Sequence, residues 1–283
     1  MNYIQTGTLL GKGAYASIYE AKDINGNLVA LKILDKYHWV SSIEAEMLLH
    51  VTHENPYHIG YPYVMKLIDS FEIKEKGVAI VLDKMDGSLL DLLFHQFPDG
   101  MEEHMLRELT RQVVLGLSYI HDCGIIHLDL KIENILYKKI NQDYLYCISD
   151  FGNAITIQEG SEPVHYKKLY QTKHYRATEC ILKSSTITTA CDVFSLGCII
   201  YEMATGSQLF DFSENEIKTD EMNTKIDLEH ANQVETIISD PSIYIPFRSS
   251  FKEFICELIH PDREKRCHAH DIVHLKWMNY LST

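Results

Sequence analysis

The chain has 283 residues, 46% of them hydrophobic, enough to bury the core of one domain or of two lobes. Its 26 basic and 40 acidic residues leave a net charge of −14, which argues against nucleic acid as a direct partner. No apolar run approaches the ~20 residues of a membrane-spanning helix; Met1–Thr8 reads as no leader, and the seven scattered cysteines lack any C-x-x-C pair, so an intracellular protein with reduced thiols, cytoplasmic or nuclear, is expected.

The first third reads mainly as strands. Leu9–Leu10, Ile18–Ala21 and Val29–Leu34 are β-type runs separated by Gly11, Gly13 and the turn Asn25-Gly26-Asn27. Ser41-Ser42-Ile43-Glu44 carries helix-start chemistry, and Met47, Leu48 and Val51 follow at helical spacing. Val64–Phe71 and Val78–Leu82 read as two more strands. From Asp86 onward the pattern turns helical. Met105, Leu106, Leu109, Val113, Leu117 and Ile120 share one face of a helix over about Glu102–His121. Cys191–Thr205, Glu229–Ser239, Phe251–Ile259 and Ala269–Trp277 are further helical candidates, the first containing the long apolar run Phe194–Ala204. A β-rich front and a helical back predict an α+β, bilobal fold spanning 1–283. The N-lobe covers about 1–83, the hinge about 83–87 and the C-lobe about 88–283, with the site in the cleft. His50/His53 and His268/His270 are not part of a Cys or carboxylate constellation at ligand spacing, which argues against a metal site.

Gly11-Lys12-Gly13-Ala14-Tyr15-Ala16 is a G-x-G-x-x-A string, which also opens dinucleotide-binding folds. A dinucleotide fold needs a helix next, whereas Ser17-Ile18-Tyr19-Glu20-Ala21 reads as strand and turn. That favours a hairpin lid whose backbone N–H groups cradle phosphates. No Gly-Lys-Ser/Thr string exists, so a P-loop is excluded. Residues 127–134 read His-Leu-Asp-Leu-Lys-Ile-Glu-Asn, and sixteen residues past Asn134 comes Asp150-Phe151-Gly152. Moving a phosphoryl group from ATP to a hydroxyl needs a carboxylate to orient the hydroxyl, a cation for the migrating group and two oxygen ligands for Mg²⁺. Asp129, Lys131, Asn134 and Asp150 are those residue types.

Over nearly its whole length the sequence resembles the protein kinases. The resemblance implies ATP and Mg²⁺ as cofactors, protein substrates and a monomeric enzyme. Lys32, in Val29-Ala30-Leu31-Lys32, would grip the α- and β-phosphates, with Leu10 to Ile18 (Leu10, Gly11, Lys12, Gly13, Ala14, Tyr15, Ala16, Ser17, Ile18) as the lid. Glu44 would position Lys32; Glu46 is the rival, but its helical phase points elsewhere. Leu82 would lie behind the adenine, Asp83 and Met85 would offer it backbone hydrogen bonds, and Ile18, Ala30 and Leu136 would sandwich the ring. Asp129 would orient the hydroxyl, Lys131 neutralise the phosphoryl, and Asn134 and Asp150 hold the metal. By the same resemblance Thr172 bonds the catalytic loop, Glu179 pairs with Arg266, and Asp192 accepts N–H bonds from that loop.

A lysine two places after the catalytic aspartate is typical of Ser/Thr kinases. Lys168 to Arg176 (KLYQTKHYR) and Asp150-Phe-Gly-Asn-Ala154 are similar to the LAMMER (Cdc2-like) and SR-protein kinases of the CMGC group. That likeness implies basic, Arg-Ser-rich substrates, with the acidic stretch Asp211–Glu235 as a docking patch. Proline-directed or dual-specificity action is the alternative within the group. Ile132 replaces a proline; Ala16 in place of a glycine, Leu128 of an arginine and Thr178 of another proline keep a nucleotide-binding pseudokinase in view. Leu128 removes the usual reader of an activation-segment phosphate, and Leu169 stands where tyrosine-regulated kinases carry their tyrosine. Activity without phosphorylation of that segment is therefore expected.

Overall fold

The computed structural model of the chain describes residues 2–13, 16–35, 40–73, 77–157, 171–181, 187–210, 246–247 and 249–279. Five antiparallel strands form the front of the molecule: β1 (Ile4–Lys12), β2 (Ala16–Lys22), β3 (Leu28–Asp35), β4 (Leu67–Ile73) and β5 (Gly77–Asp83), in the order β1-β2-β3-β5-β4. Helix α1 (Val40–His53) is inserted between β3 and β4.

Strand alternation gives this sheet two different faces. Val29 and Leu31 of β3 join Ala79 and Val81 of β5 and Ala21 of β2 in a small buried cluster on one side. The intervening Ala30, Lys32, Ile80 and Leu82 point the other way, toward the main core. A residue such as Lys32 thus faces the rest of the protein because its neighbours Leu31 and Ile33 are claimed by the opposite cluster.

The back half contains α2 (Leu89–His95), α3 (Glu103–Asp122), α4 (Thr178–Ile181), α5 (Ala190–Thr205) and α6 (Ser249–Leu258). Ser88 starts α2 through a capping box: its hydroxyl accepts the Asp91 N–H, and the Asp91 carboxylate accepts the Ser88 N–H at 2.7 Å. The apolar face read for α3 is buried from Leu106 through Ile120. Helix α5 is buried on all sides, which is why its sequence is nearly continuous in apolar residues.

The back half is less purely helical than its sequence implies. It holds five short strands: β6 (Gly87–Ser88), β7 (Ile125–Ile126), β8 (Ile135–Ile140), β9 (Asp143–Ile148) and β10 (Ile155–Thr156). β6, β8 and β9 form one small sheet, and β7 pairs with β10. These strands frame the loops on which Asp129 to Asn134 and Asp150 sit. Two further boundaries move. Val64 makes only an isolated bridge to Ile148, so the strand expected from Val64 begins at Leu67. The helix expected over Ala269–Trp277 is a 3-10 segment, Ala269–His274, anchored by buried Ile272 and by Trp277 beyond it. The candidate helix Glu229–Ser239, the acidic stretch Asp211–Glu235 and Leu169 lie outside the described residues.

Candidate active site

Gly11 and Lys12 end β1, Gly13 follows in the turn to β2, and the Gly13 N–H donates to the Ala16 carbonyl at 2.8 Å. Because strand and not helix follows Ala16, the glycine string opens a hairpin, and the dinucleotide reading falls. Ala14 and Tyr15 lie outside the described residues. Leu10 and Lys12 are exposed on β1, while Ser17 and Ile18 are half-buried on β2. Ile18 is opposite Gly11 on one side and Lys32 on the other, so the lid and the lysine are adjacent by register. Ala30 pairs with Leu82 across β3 and β5. β5 ends at Asp83, and two residues on Met85 leads into β6, whose Ser88 pairs with Leu136.

Lys32 is the junction of the site. Its ammonium donates to Glu44 Oε1 at 2.6 Å and to Asp150 Oδ1 at 2.9 Å. Glu44 is buried on α1 whereas Glu46 is exposed, which decides between the two candidates. Burial works to lower the Lys32 pKa, but the charges of Glu44 and Asp150 outweigh it and hold the amine firmly protonated. Burial raises the Glu44 carboxyl against the pull of Lys32. Burial also works against ionised Asp150, yet Lys32 brings that carboxyl below its ordinary range. Asp150 sits at φ +66°, a left-handed conformation uncommon for a non-glycine residue. Phe151, fully buried, packs edge-on against His127 at 5.1 Å and holds the turn from below.

Asp129, Lys131 and Asn134 lie on the loop between β7 and β8. Asp129 Oδ1 accepts the Thr172 hydroxyl at 2.7 Å, and Oδ2 accepts Lys131 Nζ at 3.1 Å. Lys131 also donates to Thr172 Oγ1 at 3.2 Å, closing a triangle of side chains. Asn134 spends its Nδ2 on the Asp129 carbonyl at 2.8 Å, which leaves its amide oxygen as an acceptor. Asp150 likewise uses one carboxylate oxygen on Lys32. Two oxygen donors of this kind, one anionic and one neutral, suit a hard divalent cation such as Mg²⁺.

The loop is held from beneath. Asp192, fully buried on α5, accepts the N–H groups of His127 at 2.8 Å and Leu128 at 2.9 Å, and it meets His121 Nε2 at 3.0 Å. Arg266 grips both oxygens of Glu179, at 2.6 and 2.8 Å, tying α4 to the segment beyond α6. Thr172, Glu179, Asp192 and Arg266 therefore all make the contacts expected of them. His268 and His270 stack on each other, His270 Nε2 lies 3.4 Å from Asp271 Oδ1, and no cluster of metal-binding groups occurs among the described residues.

Three participants escape sequence reasoning. Gln171, at φ +65° and buried, donates its N–H to the Leu128 carbonyl and its amide to Cys191 O and Ser195 Oγ, and it accepts the Ala177 N–H. Asn153 Nδ2 reaches Asp129 Oδ2 at 3.3 Å. Tyr175 donates to the buried Glu202 at 2.6 Å. Leu128, in place of the arginine, is fully buried at φ +60°, with both its backbone groups bonded.

The lid, the lysine–carboxylate junction and the Asp129 loop are the parts of one known architecture, and the sequence matches the protein kinase domain family over residues 4–278. The chain belongs to the protein kinase family. It is similar to a probable serine/threonine-protein kinase, fhkE, of Dictyostelium discoideum, at 30% identity over 284 residues covering 96% of the chain and 37% of that protein. It is 28% identical over 266 residues to a probable dual specificity protein kinase, madd-3, of Caenorhabditis elegans, covering 87% of the chain and 27% of the relative. Human 3-phosphoinositide-dependent protein kinase 1 is 30% identical over 203 residues, 71% of the chain and 35% of that protein. The chain thus spans roughly a quarter to somewhat over a third of these relatives' lengths.

Proposed function

We propose that this kinase domain is catalytically active and transfers the γ-phosphoryl group of ATP to serine or threonine hydroxyls of protein substrates. The observation that carries the reading is Lys32 held between Glu44 and Asp150, with the Asp129–Lys131–Thr172 triangle on the neighbouring loop. A pseudokinase has no need to keep all of these groups in place.

When bound, ATP and Mg²⁺ supply the phosphoryl group and the charge that neutralises it. Asn134 and Asp150 would hold the metal, and Lys32 with the lid amides from Gly11 to Ser17 would hold the phosphate tail. Ile18, Ala30 and Leu136 would sandwich the adenine in front of Leu82, with the Asp83 and Met85 backbones as its polar contacts. Asp129 accepts or orients the incoming hydroxyl, and Thr172 and Lys131 fix which of its oxygens faces that hydroxyl. Lys131, 3.1 Å from Asp129, also brings positive charge to where the migrating group passes.

For the substrate, we infer a basic, Arg-Ser-rich protein. What supports this is the net charge of −14 and the likeness of the segment ending at Arg176 to the SR-protein kinases. The buried Leu128 and the fully bonded Gln171 further support activity without activation-segment phosphorylation, since the contacts between the loop and Ala177 need no phosphate.

The test is radiolabelled transfer from ATP·Mg²⁺ to Arg-Ser repeat and Ser-Pro peptides, with Asp129→Asn as control and phosphoamino-acid analysis of the product. Label on serine of the Arg-Ser peptide, absent with the variant, is expected. No transfer to any acceptor by folded protein that still binds ATP would establish the pseudokinase instead. Label on tyrosine would make it a dual-specificity enzyme. Full activity after phosphatase treatment is the expected sign of phosphate independence.

A further inference from the structure

Cys180 on α4 and Cys191 on α5 lie with their sulfurs 3.4 Å apart, and each is almost wholly buried. No other two thiols are in contact among the described residues, and no step of phosphoryl transfer uses either sulfur. The Cys180 thiol points at Cys191 Sγ, and the Cys191 thiol donates to Glu179 Oε1 at 3.2 Å. This places the sulfurs between two anchors of the active site: Glu179, clasped by Arg266, and Asp192, which carries the catalytic loop.

We propose that Cys180 and Cys191 are an oxidation site that a hydroperoxide closes into a disulfide, locking α4 onto the start of α5. A disulfide needs its sulfurs at ~2 Å, so the two must approach by less than the width of an atom. Their backbones stay bonded where they are, Cys180 N–H to Ala177 and Cys191 N–H to Thr188. One sulfur attacks the peroxide; the O–O bond breaks, an alcohol (water, from hydrogen peroxide) leaves, and a sulfenic acid remains. The second sulfur displaces the sulfenic oxygen as water while the S–S bond forms. Two thiols are oxidised, one hydroperoxide is reduced, and both thiol hydrogens leave with the oxygen atoms.

The bridge joins segments already in contact and leaves the Glu179–Arg266 pair its two hydrogen bonds, so it is a lock compatible with the folded site. Reaction is slow. The Cys180 thiol and burial hold the Cys191 thiol far above its usual pKa, and the nucleophile is the thiolate. The half-buried Cys256 and Cys267 are the competing targets on access alone.

The experiment treats the full chain with hydrogen peroxide, alkylates remaining thiols under denaturing conditions and maps peptides without reduction. A single cross-link between the peptides bearing residues 180 and 191, lighter by two hydrogens, is expected. Thermal unfolding of the same sample should rise by roughly 5–10 °C, reversibly with dithiothreitol. Cys180→Ser and Cys191→Ser should each abolish both signs; if a variant fails to fold, the wild-type peptide map decides. Oxidation confined to Cys256 and Cys267, or sulfonic acid at 180 or 191 without a bridge, overturns the site. A bridge that abolishes phosphoryl transfer overturns its role as a lock. The cross-link is read by mass, so its absence does not bear on the kinase assignment, nor would an inactive kinase bear on it.

Discussion

Lys32 is buried, charged and shared by two carboxylates, so the consequences of removing it divide cleanly. Lys32→Met should lower phosphoryl transfer by roughly 100-fold or more, the scale of losing one charge-stabilising donor. Glu44→Gln leaves Lys32 its Asp150 partner and should cost nearer ~10-fold, chiefly in kcat, as a positioning loss. Steady-state kinetics on both variants, beside circular dichroism to confirm folding, separates the two effects. Glu202 offers a different test. Burial pushes its carboxyl from the ordinary 4.5 up to about 7, the Tyr175 hydroxyl pulling it down and nearby Glu133 adding to the rise. Between those values the folded protein holds a proton that the unfolded chain has released, so stability falls as pH rises from about 4.5 to about 7. Glu202→Gln keeps an acceptor for Tyr175 and removes the ionisation. It should raise stability at pH 8 by up to ~3 kcal/mol while changing little at pH 4.5. Urea unfolding of both proteins across that range checks the slope.

Among the elements, two glycines let the 3-10 turn Tyr61–Tyr63 lie on α3. A Cβ on Gly60 would stand 1.9 Å from the Leu115 carbonyl oxygen, and one on Gly116 would stand 2.7 Å from that of Tyr63. Alanine in mid-helix is worth ~1 kcal/mol over glycine, but overpacking against backbone costs about 1–3 kcal/mol, so the clash wins. Gly116→Ala should lower Tm by several degrees, measurable by calorimetry. The sequence made the chemical groups legible because the reaction demands certain residue types at fixed spacing: Asp129, Lys131, Asn134 and Asp150 declare themselves. Glu44 and the Glu179–Arg266 pair followed from resemblance, with helical phase setting Glu46 aside. Gln171, Asn153 and Glu202 were opaque, since their partners come from distant segments and amides or lone acids carry no period. β6, β7 and β10 are two residues each, too short for alternation to register. The long helices α3 and α5 were legible to within a residue at either end because burial of a whole face or a whole cylinder leaves a pattern.

At the scale of the molecule, an excess of 14 negative charges repels acidic proteins and draws basic ones. Salt screens this attraction with a Debye length near 10 Å at 0.1 M. The KM for an Arg-Ser peptide should therefore climb several-fold between 50 and 300 mM salt, while that of a neutral peptide moves less. Equal salt dependence for a neutral peptide would remove the electrostatic account.

Among the described side chains, helix α1 is fastened by hydrogen bonds concentrated at its carboxyl end. The Val51 carbonyl accepts the Tyr119 hydroxyl at 2.6 Å, Thr52 is bonded through its carbonyl to Tyr61 and through its hydroxyl to the Leu67 N–H, and His50 meets the Cys123 carbonyl. Glu44, two turns away, is held by Lys32. Such a rod behaves as a lever on a fixed fulcrum. A small tilt about Val51 would therefore be magnified along the rod into a larger displacement of the Glu44 carboxylate from Lys32.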